Sequence, residues 1–232
     1  MIKSWSHSRL VVAEQCPYRA KLAYIDRIPE PERPLPPGKS EHANDRGTRI
    51  HSACEQFIMD TGPLPKEAHH FDEEMHHAQQ LYKQGRVTLE GEWGFDQEWT
   101  PSDWSAKNTW LRLKIDLRVQ LSPTHMAVID WKTGQRYGNE FKHAEQMQMY
   151  QLATFMRYPE LEEIDIELWY LDQNELIAMH YTRRQGLRFF EGYNNRGNKI
   201  TSMTEFPPRP NIFTCKWCPY SPRGTGHCTK GV

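Results

Sequence analysis

An α/β fold, with a mixed central sheet flanked by helices in a single domain, is the class this sequence predicts. Three patterns lead there. Two apolar alternating runs, Leu111 to Leu121 and Met126 to Trp131, stand either side of Ser122-Pro123, as two strands joined by a turn do. Residues 140–157 then space Ala144, Met147, Tyr150, Gln151 and Phe155 for packing on a helix. A second strand pair, Ile164 to Leu171 and Leu176 to Tyr181, surrounds the turn Asp172-Gln173-Asn174, where Asn174 can take a left-handed conformation. A chain of 232 residues holds one generous core, and a full second domain is not expected.

In chain order, residues 1–28 open on Ser4, Ser6 and Ser8, each able to start a helix, and Pro17 either kinks that helix or begins a second. Residues 29–40, with Pro29, Pro31, Pro34, Pro36 and Pro37, are a loop. A helix follows from about Ala43, with Ile50, Ala53, Cys54 and Phe57 as its apolar stripe; Cys54 is expected to be packing. After the loop at 61–65 comes a polar helix through Phe71, Met75, Ala78 and Leu81. Its His70, Glu73 or Glu74, and His77 approach metal-ligand spacing, but no closing ligands lie nearby and a solvated helix is expected. Val87 to Trp99 alternates as a strand offering Glu90, Glu92, Asp96 and Glu98, and residues 100–109 turn into the strand that carries Asp116. Thr133-Gly134-Gln135 is a turn, and Arg183 to Asn195 a last helix with Arg184 and Arg188 on one side for phosphate contact.

Chemistry is expected at the ends of the two central strands. Period 2 places Asp130 and Lys132 on one face with Trp131 on the other, and Asp116 leaves the apolar face of its own strand. Two converging carboxylates repel unless a cation lies between them, and hard oxygen ligands suit magnesium or manganese. A lysine beside them can orient a water or offset negative charge on a phosphate.

The order Asp116, Asp130-Trp131-Lys132 and Gln146 to Tyr150 resembles the PD-(D/E)xK nuclease superfamily, and within it the RecB-like branch, with its AddB-type and phage exonucleases that carry an iron–sulfur cluster. Ile115 stands where the superfamily usually has proline, a departure this branch tolerates. The resemblance implies a restriction-endonuclease-like β-β-β-α-β core at about residues 43–195. It implies Asp116 and Asp130 as ligands of Mg2+ or Mn2+, and Lys132 as the aid to the attacking water. Gln146 and Tyr150 would support the site and contact DNA. Gly47 and His51 fit the branch's G-x-x-x-H segment, whose histidine reaches the metal, and Glu92 or Glu98 could approach the site.

The tail places Cys215, Cys218 and Cys228 among turns, and a C-x2-C pair is shared by zinc sites, redox dithiols and iron–sulfur sites. The resemblance implies a [4Fe-4S] cluster on Cys16, Cys215, Cys218 and Cys228, making a cysteine-bound terminal lid from residues 1–28 and 205–232. The nine residues between Cys218 and Cys228 exceed the family's usual spacing and leave structural Zn2+ as the alternative.

The net charge of −1 argues against a large nonspecific nucleic-acid wrap. Its distribution is uneven: from Arg183 onward nine Lys or Arg face two acids, whereas residues 29–105 hold fifteen acids and seven bases. An enzyme gripping DNA over part of its surface would show this asymmetry, as would self-assembly. Neither a long apolar stretch nor a signal segment is present, so an intracellular, cytoplasmic protein with no membrane partner is expected, in a host cytoplasm if phage-encoded. The function expected is a metal-dependent deoxyribonuclease, an exonuclease acting at free or single-stranded DNA ends, with a helicase or recombination protein as partner. The alternative is a catalytically silent or zinc-containing nucleic-acid-binding or adaptor protein.

Overall fold

In the computed structural model, residues 1–32, 34–134 and 136–232 are described; the expected turn at Gln135 lies outside them. The elements are α1 (His7–Gln15), α2 (Pro17–Tyr24), α3 (Ala43–Ile58), a 3-10 turn (Lys66–Phe71), α4 (Asp72–Lys83), β1 (Val87–Phe95), β2 (Pro101–Ser102), β3 (Leu111–Ser122), β4 (His125–Lys132), α5 (Glu140–Arg157), β5 (Glu163–Tyr170), β6 (Glu175–Thr182), α6 (Arg183–Gly186), a 3-10 turn (Leu187–Phe189), α7 (Phe190–Thr201) and α8 (Ile212–Cys215). The sheet runs β2-β1-β3-β4-β5-β6. Its β4–β5 pair is parallel, with α5 as the crossover, while β3–β4 and β5–β6 are antiparallel, so the sheet is mixed as expected. The chain divides into two units: residues 1–34, 94–112 and 191–232 form the first, and 35–93 with 113–190 the second.

In the second unit, alternation decides which residues are covered. Leu117, Val119, Ala127, Ile129, Trp131 and Trp169 leave one face and meet Ile50, Cys54, Phe57, Phe71 and Met75 from α3, the 3-10 turn and α4. Phe71 stacks on Trp169 with ring centroids 5.3 Å apart. Burial pushes the Cys54 thiol up to about 12, so Cys54 is an inert packing residue as expected. Helix α5 packs against β5 and α6. A Cβ on Gly186 would lie 2.1 Å from Gln151 Oε1, so only glycine lets α6 come this close to α5. The helix expected from Arg183 to Asn195 is accordingly broken. Thr182 caps the short α6, Arg183 is spent on the carbonyls of Tyr158 and Leu161, and a 3-10 turn leads into α7.

In the first unit, Ser6 caps α1 and Pro17 occupies the first turn of α2, so the proline starts a second helix. Trp5, Trp99 and Trp110 meet edge to face at 5.2–6.4 Å. Gly197 of α7 lies against this cluster, where a Cβ would stand 2.6 Å from the Trp5 ring. Arg196 forks onto the Glu14 carboxylate at 2.7 and 2.8 Å, and Arg209 donates to the Glu14 carbonyl. Strand β1 ends at Phe95, short of the expected Trp99, because Asp96 Oδ1 accepts from the amides of Glu98 and Thr100 and Trp99 sits at φ 62.

Candidate active site

The site lies wholly in the second unit, at the C-terminal end of β4, which pairs in parallel with β5. The β3–β4 register carries Leu117 opposite Ile129, and one step further Asp116 stands by Asp130. There the ladder gives way: Asp116 Oδ2 accepts the Trp131 amide at 2.9 Å, taking the place of a backbone acceptor. One carboxylate oxygen is thereby anchored. The other, Oδ1, stands 3.3 Å from His51 Nδ1, and the His51 ring meets Trp131 edge to face. Burial works against the charged imidazole, but the Asp116 hydrogen bond and the charges of Asp116 and Asp130 outweigh it and raise the His51 pKa. Gly47 explains the spacing to His51. A Cβ there would be 3.2 Å from Thr133 Oγ1, so glycine lets this end of α3 approach the loop that leaves β4.

Asp130 is 4% exposed. Its Oδ2 lies 2.5 Å from Lys132 Nζ, yet no hydrogen bond of good geometry satisfies that buried oxygen. Burial is the main cause that pushes the Asp130 carboxyl up to about 6; Lys132 opposes it and Asp116 adds to it. From Lys132 a chain of hydrogen bonds continues: Nζ donates to Gln146 Oε1 at 2.7 Å, and Gln146 Nε2 donates to the Tyr150 hydroxyl at 2.8 Å. Gln146 and Tyr150 meet because they are one turn apart on α5. The buried Tyr150 phenol is held well above its usual range, first by desolvation and then by the charges of Asp130 and Asp116. The structure thus brings His51, Asp116, Asp130, Lys132, Gln146 and Tyr150 into one group.

No hydrogen bond or ion pair among the described residues joins the acids at positions 90–98 to this group. Glu90 pairs with Lys114 at 2.9 Å, Glu92 is exposed, and Glu98 belongs to the first unit. Asp172 was legible only as a turn residue, yet it fixes the loop after Lys132. Its carboxylate takes both Arg46 guanidinium nitrogens at 2.7 and 2.8 Å and the Gly134 amide at 2.6 Å, while Gln173 Nε2 donates to the Gly134 carbonyl. His70, Glu73, Glu74 and His77 are all exposed, as expected of a solvated helix. His125, Asp165 and His180 gather instead, with ligand atoms all within 4.8 Å of one another, and could coordinate a divalent metal. They come from three strands, so no local spacing announces them.

In the first unit, Cys16, Cys215, Cys218 and Cys228 line one pocket with Tyr18 and Arg19. The thiols are free of disulfides, and no three of them have sulfurs within 4.8 Å of one another. A closed, cysteine-clustered lid is therefore not evident: Cys16 sits at the break between α1 and α2, Cys215 ends α8, Cys218 and Cys228 lie in the irregular tail, and the pocket lies among them. The amides of Val232 and Asn211 lower the Cys215 pKa; Asn211 N lies 3.4 Å from its sulfur.

This fold and site geometry define a nuclease-type α/β protein. The chain matches the model of the PD-(D/E)XK nuclease superfamily over residues 4–223 and belongs to that superfamily. Membership carries nuclease-type hydrolase chemistry and nucleic-acid binding at that general level. Among solved structures it is similar to the crystal structure of SSO0001, at 15% identity and a TM-score of 0.46, covering 99% of this chain and 87% of that one. No curated protein matches it. No helix among the described residues is long and apolar enough to cross a membrane.

Proposed function

We propose that this protein is a Mg2+- or Mn2+-dependent deoxyribonuclease of the RecB-like type, an exonuclease that hydrolyses phosphodiester bonds at DNA ends in end processing, repair or recombination. The observation that carries the reading is the Asp130–Lys132–Gln146–Tyr150 series beside the Asp116–His51 pair. The donor set fits a hard divalent ion: Asp130 Oδ2 is a buried carboxylate oxygen 2.5 Å from the Lys132 ammonium, and Asp116 Oδ1 faces the same space as His51. Asp116, Asp130 and His51 would hold the ion, which when bound supplies charge neutralisation for a phosphate oxygen. Lys132 brings an ammonium whose direction is set by Gln146 Oε1, so it is aimed before substrate arrives and can hold a water in line with phosphorus. Tyr150 stays protonated and holds Gln146 in register.

Residues 1–28 and 205–232 form the cluster-binding region of what we read as one nuclease domain with its core at about 43–195. A tetrahedral zinc ion with Zn–S near 2.3 Å needs sulfurs about 3.8 Å apart, closer than any three of these thiols come. The [4Fe-4S] cluster on Cys16, Cys215, Cys218 and Cys228 is carried by the family resemblance, with structural Zn2+ as the alternative. Partners on this reading are DNA with free or single-stranded ends and a helicase or recombination protein, in an intracellular setting.

The test is cleavage of end-labelled linear and circular DNA, single- and double-stranded, with Mg2+ and Mn2+ compared, alongside the visible spectrum of anaerobically purified protein. Metal-dependent loss of label from linear DNA and a broad iron–sulfur absorption are expected. Binding without cleavage under every condition would replace the enzyme by the adaptor reading, and a colourless protein holding zinc would remove the cluster.

A further inference from the structure

The group on β4, β5 and β6 stands apart from the nuclease centre. His125 begins β4, five residues before Asp130, which at about 3.3 Å per residue is about 17 Å along the strand. Odd numbering puts it on the face opposite Asp130 and Lys132. The parallel register sets His125 beside Glu163, and the antiparallel one sets Asp165 beside His180. Two carboxylates at positions 163 and 165 of one strand are thereby flanked by an imidazole from each neighbouring strand.

Distances give the arrangement its meaning. Asp165 Oδ2 lies 2.8 Å from His125 Nε2, and Asp165 Oδ1 lies 2.8 Å from His180 Nδ1. Glu163 faces the remaining ring nitrogens at 3.9 and 4.0 Å. The two rings meet edge to face at 5.9 Å, so their nitrogens converge and the rings do not stack. His125 Nε2 is buried and, despite its proximity to Asp165, makes no hydrogen bond of acceptable geometry. Among the described residues, the ion-pair partners of these two carboxylates are only these histidines. Without a cation His180 Nδ1 donates to Asp165 Oδ1; one ligand atom from each of His125, Asp165 and His180 lies within 4.8 Å of the other two, a set that a dication can take up in place of that hydrogen bond.

We propose that His125, Asp165 and His180 bind a zinc-class divalent ion, with water as fourth ligand, as a structural clamp that ties edge strand β6 to β4 across β5. Two imidazoles and a carboxylate suit zinc or its nickel and copper neighbours over the hard ions expected at the nuclease centre. The clamp protects an edge strand that has no partner on its far side in the sheet order. It does not depend on the nuclease reading, and its failure would leave that reading untouched.

Cobalt(II) titration of the full-length, metal-stripped protein tests it. Visible d–d bands beyond any that accompany thiolate-to-cobalt charge transfer from the tail cysteines are expected, retained in Asp130→Asn and lost in His180→Ala and His125→Ala with one cobalt fewer per chain. Zinc should raise the Tm of wild type by about 5 °C at roughly 100 times Kd, and leave His180→Ala unmoved. His180 lies on the exposed side of an edge strand, so that variant keeps the fold if His125→Ala does not. Equal cobalt uptake by His180→Ala and wild type, or cobalt bands with a thiolate signature alone, would overturn the clamp.

Discussion

Replacing Asp130 by asparagine keeps the shape of the side chain and removes its charge, and it separates what the residue does for chemistry from what it costs the fold. Burial is the first cause that lifts this carboxyl from 3.8 to about 6, against the pull of Lys132. At about 1.4 kcal/mol per pH unit, the charged form costs the metal-free folded state about 3 kcal/mol at pH 7. The cost already includes the attraction of Lys132, and Gln146 still accepts from that ammonium when the charge is gone. Asp130→Asn is therefore expected to be more stable than wild type by up to about 3 kcal/mol in chelator, while cleavage falls to background. Because the folded pKa lies above the unfolded one, the cost is absent below pH 3.8 and grows as pH rises through about 6. The advantage of the variant should appear over that window and vanish in acid. Denaturant midpoints at pH 4 and pH 7, at unchanged m, read the difference. Manganese-dependent cleavage by Asp130→Asn would refute the site, and a variant less stable than wild type at pH 7 would refute the energetic argument.

Two further perturbations address the supports of the site. Gln146→Ala removes the acceptor of one charge-assisted hydrogen bond from Lys132, worth about 1.5–3 kcal/mol, so kcat is expected to fall about 10- to 100-fold with KM little changed; an unchanged kcat would remove Gln146 from the machinery. Asp172→Ala releases Arg46 and the Gly134 amide and costs about 1 kcal/mol for a partly exposed fork. The Arg46 hydrogen bonds hold the Asp172 carboxyl below its ordinary 3.8. The stability it supplies is therefore full above that value and lost as pH falls through the lower folded pKa, so melting curves of wild type and Asp172→Ala should converge only in strong acid. A gap that persists there would show that the ion pair is not its source.

Much of this protein is local and was legible for that reason. Alternation in 111–121 and 126–131 needs only the two-residue period of a strand, and it announced which residues of β3 and β4 turn to the core. The helix at 140–157 lies where its apolar spacing put it, and the Gln146–Tyr150 contact follows from one helical turn. Distance along the chain decided the rest. The Asp116 carboxylate replaces a ladder acceptor only because the β3–β4 register ends at Leu117, a property of two strands together. Asp172 read as a turn residue because its partner Arg46 is 126 positions away. His125, Asp165 and His180 carry no shared spacing at all, since a parallel and an antiparallel register must both be set before their nitrogens and oxygens converge. Sequence by itself determined the elements, the superfamily resemblance and the residue types suited to a metal and a phosphate. Tertiary structure alone decided which charges are buried together, because desolvation and register are properties of packed strands and of no single stretch of chain.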